Sequence, residues 1–448
     1  MLDPTSTPPS VTLLGIAELE VLAVFEFVDE RHVFVQTRDG QRRFCRRCGV
    51  RAVSGGRHTV SVRDVPSAGK ATRLRWSKRI WRCGDCAVSW RETIEQIPAR
   101  AVLTERARDQ AARQVGRDNQ SVAAVAREFG VGWETIMRAV TATARVMFEA
   151  QGIYTAQRRP AIGIGVDEKV LNRAAPGRHT TYSTLIVNLA TGRTLDIVPG
   201  RSKTVLRGWL AAQSESWRAG VTIVALDPYA GYRAALIDPE FGLPNARLVL
   251  DRFHAEKLAN TAVDDTRRRV QQDTLGHRGR VGDPLYGIRR LLLTASERLT
   301  DAGRDRLQAA LAAGDPYDEV GCAWVARELL RRIYLSPDLF AARLELERFF
   351  DWAAEVDVPE VTRLAGTIDR WRVEVLAYFR TGRASSGRVE AINGEHEAVD
   401  RTARGFRNFG NYRTRMLLKT AVVWNTPVTP RLRGRTAAMT PTAPSLIA

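Results

Sequence analysis

Apolar and polar positions alternate along VLAVFEFVDERHVFVQTRDGQ, and this period of two predicts two short strands joined near Asp29 and Glu30. Strand character continues in VSVRDVPSAGKATRLRW. Residues 101–150 then carry long proline-free runs of Ala, Arg, Val and Glu and read as helices. From Ala161 to Val198 the short period returns in AIGIGVDEKV, TTYSTLIVNL and RTLDIV, punctuated by the turn signals AAPG and ATG. The helix-like SKTVLRGWLAAQSES, the apolar run VTIVALD, another helix and ARLVLD follow. Strands separated by helices in this way imply parallel crossovers in an α/β sheet. From Phe253 to about Phe379 the periodicity is almost wholly helical, broken near GDPLYG, GDPYDEVG and SPDL, and a last helical block runs from about Ser385 to Trp424. The tail, rich in Pro, Thr and Ala, is expected to be disordered.

Charge narrows the class of partner. The 448 residues include 68 Lys and Arg against 50 Asp and Glu, a net charge of +18. That field favours a polyanion, and most of the cations are Arg, whose planar fork suits phosphate and guanine edges. Fifteen of the Lys and Arg residues, against four acids, fall in residues 41–100. No apolar run reaches the roughly 18 residues of a membrane span, and the first residues lack the basic start and apolar core of a signal peptide. A cytoplasmic, nucleoid-associated protein with no membrane partner is therefore expected.

The basic window holds Cys45-x-x-Cys48 and Cys83-x-x-Cys86. Two residues between cysteines let both sulfurs of a knuckle reach one tetrahedral ion, and four sulfurs leave no open position. A structural Zn²⁺ is expected, while Cys322 stands alone and reads as a core residue. Residues 121–140, SVAAVAREFGVGWETIMRAV, fit a helix-turn-helix: Ser121 caps the first helix and Gly130 supplies a left-handed turn. Trp133 to Val140 then forms the recognition helix. Arg127, Trp133, Thr135 and Arg138 are the candidate DNA-facing side chains.

Asp167 ends the apolar run IGIGV and Asp227 ends VTIVAL, so each acid emerges where a buried strand stops. Ligands of open α/β sheets bind at such strand ends. Glu390, in ASSGRVEAINGEHEAVDR, lies on a helix that could pack against the sheet. Three carboxylates brought together repel unless cations sit between them, and Mg²⁺ or Mn²⁺ suits such oxygen donors. Glu168 is a second candidate, although alternation points it to the other face of the strand. Asp251 and His254, in LVLDRFHAEKLAN, end a further strand and either support the site or cap the next helix. Trp352 and Trp371 could stack on a flipped base or pack in a core.

The order of these features is four-cysteine finger, helix-turn-helix, VDE, LDPYAGY, LDRFHAEKL and SGRVEAINGEHEAVDRTARGFRNFGNYRTRMLL. It resembles the ISL-three group of bacterial insertion-sequence transposases over residues 10 to 424. The resemblance implies an RNase H-like α/β catalytic domain whose Asp-Asp-Glu triad falls on Asp167, Asp227 and Glu390, with a large helical insertion before the last. The expected plan is a multidomain α+β chain. Residues 1–100 form the N-terminal strands and zinc-binding β module, and 101–150 the helix-turn-helix. Residues 155–270 begin the catalytic core, 271–384 form the insertion, 385–425 complete the core, and 426–448 are the tail. The implied activity is metal-dependent DNA cleavage and strand transfer at terminal inverted repeats and target DNA, by a homodimer or higher oligomer. The alternatives are a non-catalytic zinc and helix-turn-helix regulator, or an RNase H-like structure-specific nuclease.

Overall fold

The computed structural model describes residues 14–38, 43–153, 160–173, 177 and 179–424. The expected tail, 426–448, lies outside them.

The N-terminal strands and the cysteine module are one sheet. β1 (Leu19–Glu26) and β2 (Glu30–Thr37) form an antiparallel hairpin, as do β3 (Val53–Ser67) and β4 (Lys70–Arg82). The hairpins join through a parallel β2–β4 pair, and β5 (Ser89–Arg91) pairs with Ile80–Arg82 of β4, beyond the stretch taken by β2. Leu19, Val33, Val35, Leu74 and Trp76 from both hairpins share one small core.

Three helices follow: α1 (Glu105–Gly116), α2 (Val122–Phe129) and α3 (Trp133–Ala150). Ser121 accepts the backbone N–H of Ala124, and Gly130 turns the chain with φ of 62°, as expected from the sequence. The expected recognition helix, Trp133 to Val140, is too short. Ala144 and Phe148 continue its buried stripe, so the helix runs on to Ala150.

The second sheet contains β6 (Gly163–Asn172), β7 (Thr181–Asn188), β8 (Arg193–Pro199), β9 (Ile223–Leu226) and β10 (Arg247–Leu250), in the order β10-β9-β6-β7-β8. β6, β7 and β8 form an antiparallel meander, whereas β9 and β10 lie parallel to β6. α4 (Lys203–Ala211) and α5 (Glu215–Gly220) make the crossover into β9, and α6 (Ala230–Leu236) makes the crossover into β10.

Both faces of the sheet are covered, and β7 shows how alternation sorts them. Ile186 packs with the α4–α6 side, whereas Leu185 and Val187 pack with the helix-turn-helix and the C-terminal helices α14 (Gly387–Ala403) and α15 (Phe409–Thr420). The helix-turn-helix thus shares a core with the sheet. A half-buried ion pair between Asp196 on β8 and Arg413 on α15, 2.6 Å apart, ties the same face together.

The region between the sheet and α14 is helical. α7 (Arg252–Leu275), α8 (Arg289–Leu292), α9 (Asp301–Gly314), α10 (Glu319–Leu335), α11 (Leu339–Glu355), α12 (Pro359–Arg370) and α13 (Arg372–Arg380) extend the larger core. α7 is continuous through position 270, because nothing between Arg269 and Gln271 breaks its backbone ladder. Arg269 bonds it to Glu319 at 2.8 Å and Glu360 at 2.9 Å, and Tyr334 donates to the carbonyl of Leu250 at 2.9 Å. Trp371 is buried, and Trp352 donates to the carbonyl of Cys322 at 3.1 Å. Both tryptophans belong to this core.

His396 of α14 is buried beside Thr420 of α15, at 3.4 Å. Burial and the nearby Lys169 charge push its imidazolium down to about 3. Below the ordinary histidine value the unfolded chain takes up a proton that the folded chain refuses. Stability is therefore present at neutral pH and lost as pH falls from about 6.5 toward 3, by about 1.4 kcal/mol per pH unit. Urea unfolding of His396→Asn between pH 4 and 6 is expected to show a slope shallower by that amount. An unchanged slope would assign the acid sensitivity to other groups.

Candidate active site

Parallel register sets the acids side by side. Val166 of β6 pairs with Leu226 of β9, and Leu226 pairs with Leu250 of β10. The next residues, Asp167, Asp227 and Asp251, therefore form a row where the three strands pass the same level. Glu390 approaches from the first turn of α14. The approach is close because β6 has glycine at 165: a Cβ there would lie 2.3 Å from Cγ2 of Val389, the neighbour of Glu390.

Each acid has different surroundings. Asp167 accepts the amide of Asn393 at 2.6 Å and the backbone N–H of Glu168 at 2.7 Å, so α14 orients it. Burial first, and then the Asp167 charge, pushes Asp227 up to about 7. The same two causes in the same order raise Glu390. Oδ1 of Asp227 is buried and makes no hydrogen bond. Glu168 points away, to Arg201 at 3.1 Å, whose guanidinium lies 3.8 Å from the ring centre of Tyr182.

Asp251 is 1% exposed and fully engaged. It caps α7 by accepting the backbone N–H of His254 at 3.1 Å, and Nδ1 of the same histidine lies 2.8 Å away. Its other oxygen accepts the backbone N–H of Ser386 at 2.6 Å and also the Ser386 hydroxyl. The cap expected from the sequence is present, and the same carboxylate holds His254 beside Asp227. Nε2 of His254 contacts Oδ1 of Asp227 and lies 3.9 Å from Oε1 of Glu390. Burial opposes charge on this imidazole, yet the bond to Asp251 and the surrounding carboxylates leave its pKa raised. Asp251 is lowered: burial opposes its charge, but His254 and Ser386 outweigh that. One ligand atom from each of Asp167, Asp227 and His254 lies within 4.8 Å of the others. Nothing in the sequence pattern singled out Asn393 or Ser386, although Asn393 stands within SGRVEAINGEHEAVDR, three residues after Glu390.

The two cysteine knuckles converge. Cys45, Cys48, Cys83 and Cys86 place their sulfurs within 4.8 Å of one another, with 3.5 Å between those of Cys48 and Cys83. Zn–S bonds of about 2.3 Å give a similar tetrahedral edge. The backbone N–H groups of Arg47 and Cys86 donate to Cys45 and Cys83, each at 3.4 Å. Hydrogen bonds from Arg47 and then Cys48 push the Cys45 thiol down to about 7, while the neighbouring Cys48 sulfur and burial push Cys86 up, as four crowded sulfurs without a cation between them do. The donor set fits structural zinc. Cys322 packs at the edge of the helical core.

On the helix-turn-helix, Arg127 and Arg138 are exposed, Trp133 is 42% exposed and Thr135 is half-buried. Trp133 lines a cavity of about 530 Å³ with Arg404, Phe406 and Arg407, which follow α14. The start of α3 thus faces the loop that follows α14.

A family profile described as a transposase, that of the ISL3 group, matches residues 164–416, the whole span from β6 through α15 but for its ends. The chain belongs to the ISL3 transposase family. The helix-turn-helix domain of that family matches residues 92–144, and the zinc finger of the IS204/IS1001/IS1096/IS1165 transposases matches residues 41–86. The transposase for insertion sequence element IS1557 of Mycobacterium tuberculosis is 29% identical over 265 residues, covering 55% of this chain and 57% of that protein. The transposase for IS1001 of Bordetella parapertussis is 24% identical over 365 residues, covering 81% of this chain and 85% of the relative. The match to the IS1557 protein spans little more than half of its length. Among the described residues of this ISL3-family chain, no helix is long and apolar enough to cross a membrane.

The seating of α14 on Gly165 is testable. Gly165→Ala is expected to destabilise the chain by about 1–3 kcal/mol in urea unfolding, as overpacking does, with Gly165→Ala/Val389→Ala recovering part of it. Indifference to the single change would mean that α14 does not press on β6.

Proposed function

We propose that the chain is a metal-dependent transposase that binds the terminal inverted repeats of an insertion sequence, cleaves the DNA and joins the freed ends to target DNA. One observation carries this reading: Asp167 within β6 and Asp227 just past the end of the adjacent parallel β9 stand at the same level, while Glu390 faces them from a helix seated on β6. The strand order, with three antiparallel strands followed by two parallel ones, supports an RNase H-like core. That core would comprise residues 155–270 and 385–425, with 271–384 inserted.

Asp167, Asp227 and Glu390 would hold Mg²⁺ or Mn²⁺. The fit rests on the buried, unbonded oxygen of Asp227 and on carboxylates whose mutual repulsion a cation would offset. Bound there, divalent ions activate a water or 3′-hydroxyl and stabilise the leaving oxygen of an in-line displacement. The chain's own contribution is positional. Asn393 holds Asp167 in place, and Ser386 and Asp251 fix the start of α14 against the start of α7. The packed sheet keeps these groups from relaxing apart.

Arg127, Trp133, Thr135 and Arg138 would meet double-stranded DNA, with the zinc module adding its concentrated positive charge. Handling two ends together calls for a dimer or higher assembly on DNA.

Cleavage of labelled DNA bearing the element's repeats, with Mg²⁺ or Mn²⁺, tests the catalytic part. Wild type is expected to nick at the repeat ends and join them to target, and Asp167→Asn, Asp227→Asn and Glu390→Gln to bind without cutting. Binding without cleavage by wild type would favour a DNA-binding regulator, and cutting without joining a nuclease. The DNA interface makes a separate expectation in a salt series read by fluorescence anisotropy. Arg138→Ala is expected to cost about 1–3 kcal/mol and relax sequence preference, and Arg127→Ala to weaken all sequences and reduce the salt slope by about one. Unaltered binding in both variants would move the interface off this helix pair.

A further inference from the structure

A site of three carboxylates leaves His254 unexplained. Its side chain is almost wholly buried, and one ring nitrogen is already committed: Nδ1 lies 2.8 Å from Oδ1 of Asp251. Asp251 also accepts two donors from Ser386, so it acts here as an acceptor and the proton belongs on Nδ1. In that tautomer Nε2 presents a lone pair. Nε2 is aimed at the carboxylates, in contact with Asp227 and 3.9 Å from Glu390. Yet neither Nε2 nor Oδ1 of Asp227 makes a hydrogen bond, and both atoms are buried. Two such buried atoms set face to face are satisfied either by a proton on Nε2 or by a cation bound to both, and a metal ion takes the place of that proton when it binds. The donor atoms of Asp167, Asp227 and His254 lie within 4.8 Å of one another, a compact set. A carboxylate fixing the far nitrogen of a ligand histidine is also the usual device for setting its tautomer and orientation.

We infer that His254 is a direct ligand of a divalent ion shared with Asp167 and Asp227, and that its imidazole biases the site toward Mn²⁺ over Mg²⁺. This rests on the metal-dependent reading above. Magnesium prefers oxygen donors and holds its waters, whereas imidazole binds first-row transition ions more readily. Asp251 is then a positioning residue acting through His254, and Ser386 acts through Asp251.

The test uses the full chain with its zinc module loaded and substoichiometric Mn²⁺, read by pulsed electron paramagnetic resonance. Directly bound imidazole is expected to give ¹⁴N couplings in wild type that change on ¹⁵N-histidine labelling. They should vanish in His254→Ala and persist in Glu390→Gln. Calorimetric titration is expected to show that His254→Ala loses about tenfold or more in Mn²⁺ affinity and clearly less for Mg²⁺. Mn²⁺ bound by wild type without ¹⁴N couplings, and released by Asp167→Asn, would overturn the histidine ligand while leaving the carboxylate site standing. Failure of wild type to bind Mn²⁺ at this site would overturn the histidine ligand together with the metal-dependent reading. The wild-type spectrum decides the question even if His254→Ala folds poorly.

Discussion

Asp251 joins parts of the chain 135 residues apart. Its buried carboxylate accepts from the first turn of α7 and from the residue that starts α14. A buried carboxylate costs several kcal/mol unless its oxygens are satisfied, and here four donors do so. That requirement fixes α7 and α14 relative to the strand ends. His254 stands on one helix and Glu390 on the other, so the geometry around Asp167 and Asp227 follows from it.

The same economy of buried charge explains the scaffold around the row of acids. Carboxylates converging in a partly buried place tend to take up protons or spread apart, and the upward pull on Asp227 and Glu390 expresses that tendency. Spreading is opposed from both sides of the sheet. On one side the helical region grips α7 through Arg269 and Tyr334. On the other, α14 presses on Gly165 and is backed by α15 and the helix-turn-helix. Placing the helix-turn-helix in that core gives it a set relation to the acids, which a flexible tether would not provide.

Much of this was legible along the chain because it depends on local periodicity and short spacings. The C-x-x-C pairs announced a tetrahedral metal site, since knuckle geometry lies within a few residues. Ser121 and Gly130 announced the turn between helices for the same reason. VTIVALD announced an acid at a strand end, but Asp167 does not end its strand: only the apolar run of IGIGVDE stops there, and pairing with β7 carries β6 on to Asn172. The adjacency of the two acids required the β6–β9 pairing, which no local pattern contains.

Other features were beyond the reach of spacing. Asn393 sits one turn after Glu390, but only the seating of α14 on β6 turns its amide to Asp167. Ser386 meets Asp251 because the helical region returns the chain to its starting point. The length of α3 depended on an apolar stripe whose burial comes from partners elsewhere in the chain. The amino-acid sequence by itself determined the elements, the zinc ligands and the candidate acids, because those rest on backbone preference and near-neighbour geometry. Only the tertiary structure decided which buried polar atoms face one another, because every such pairing is made between segments far apart in the chain.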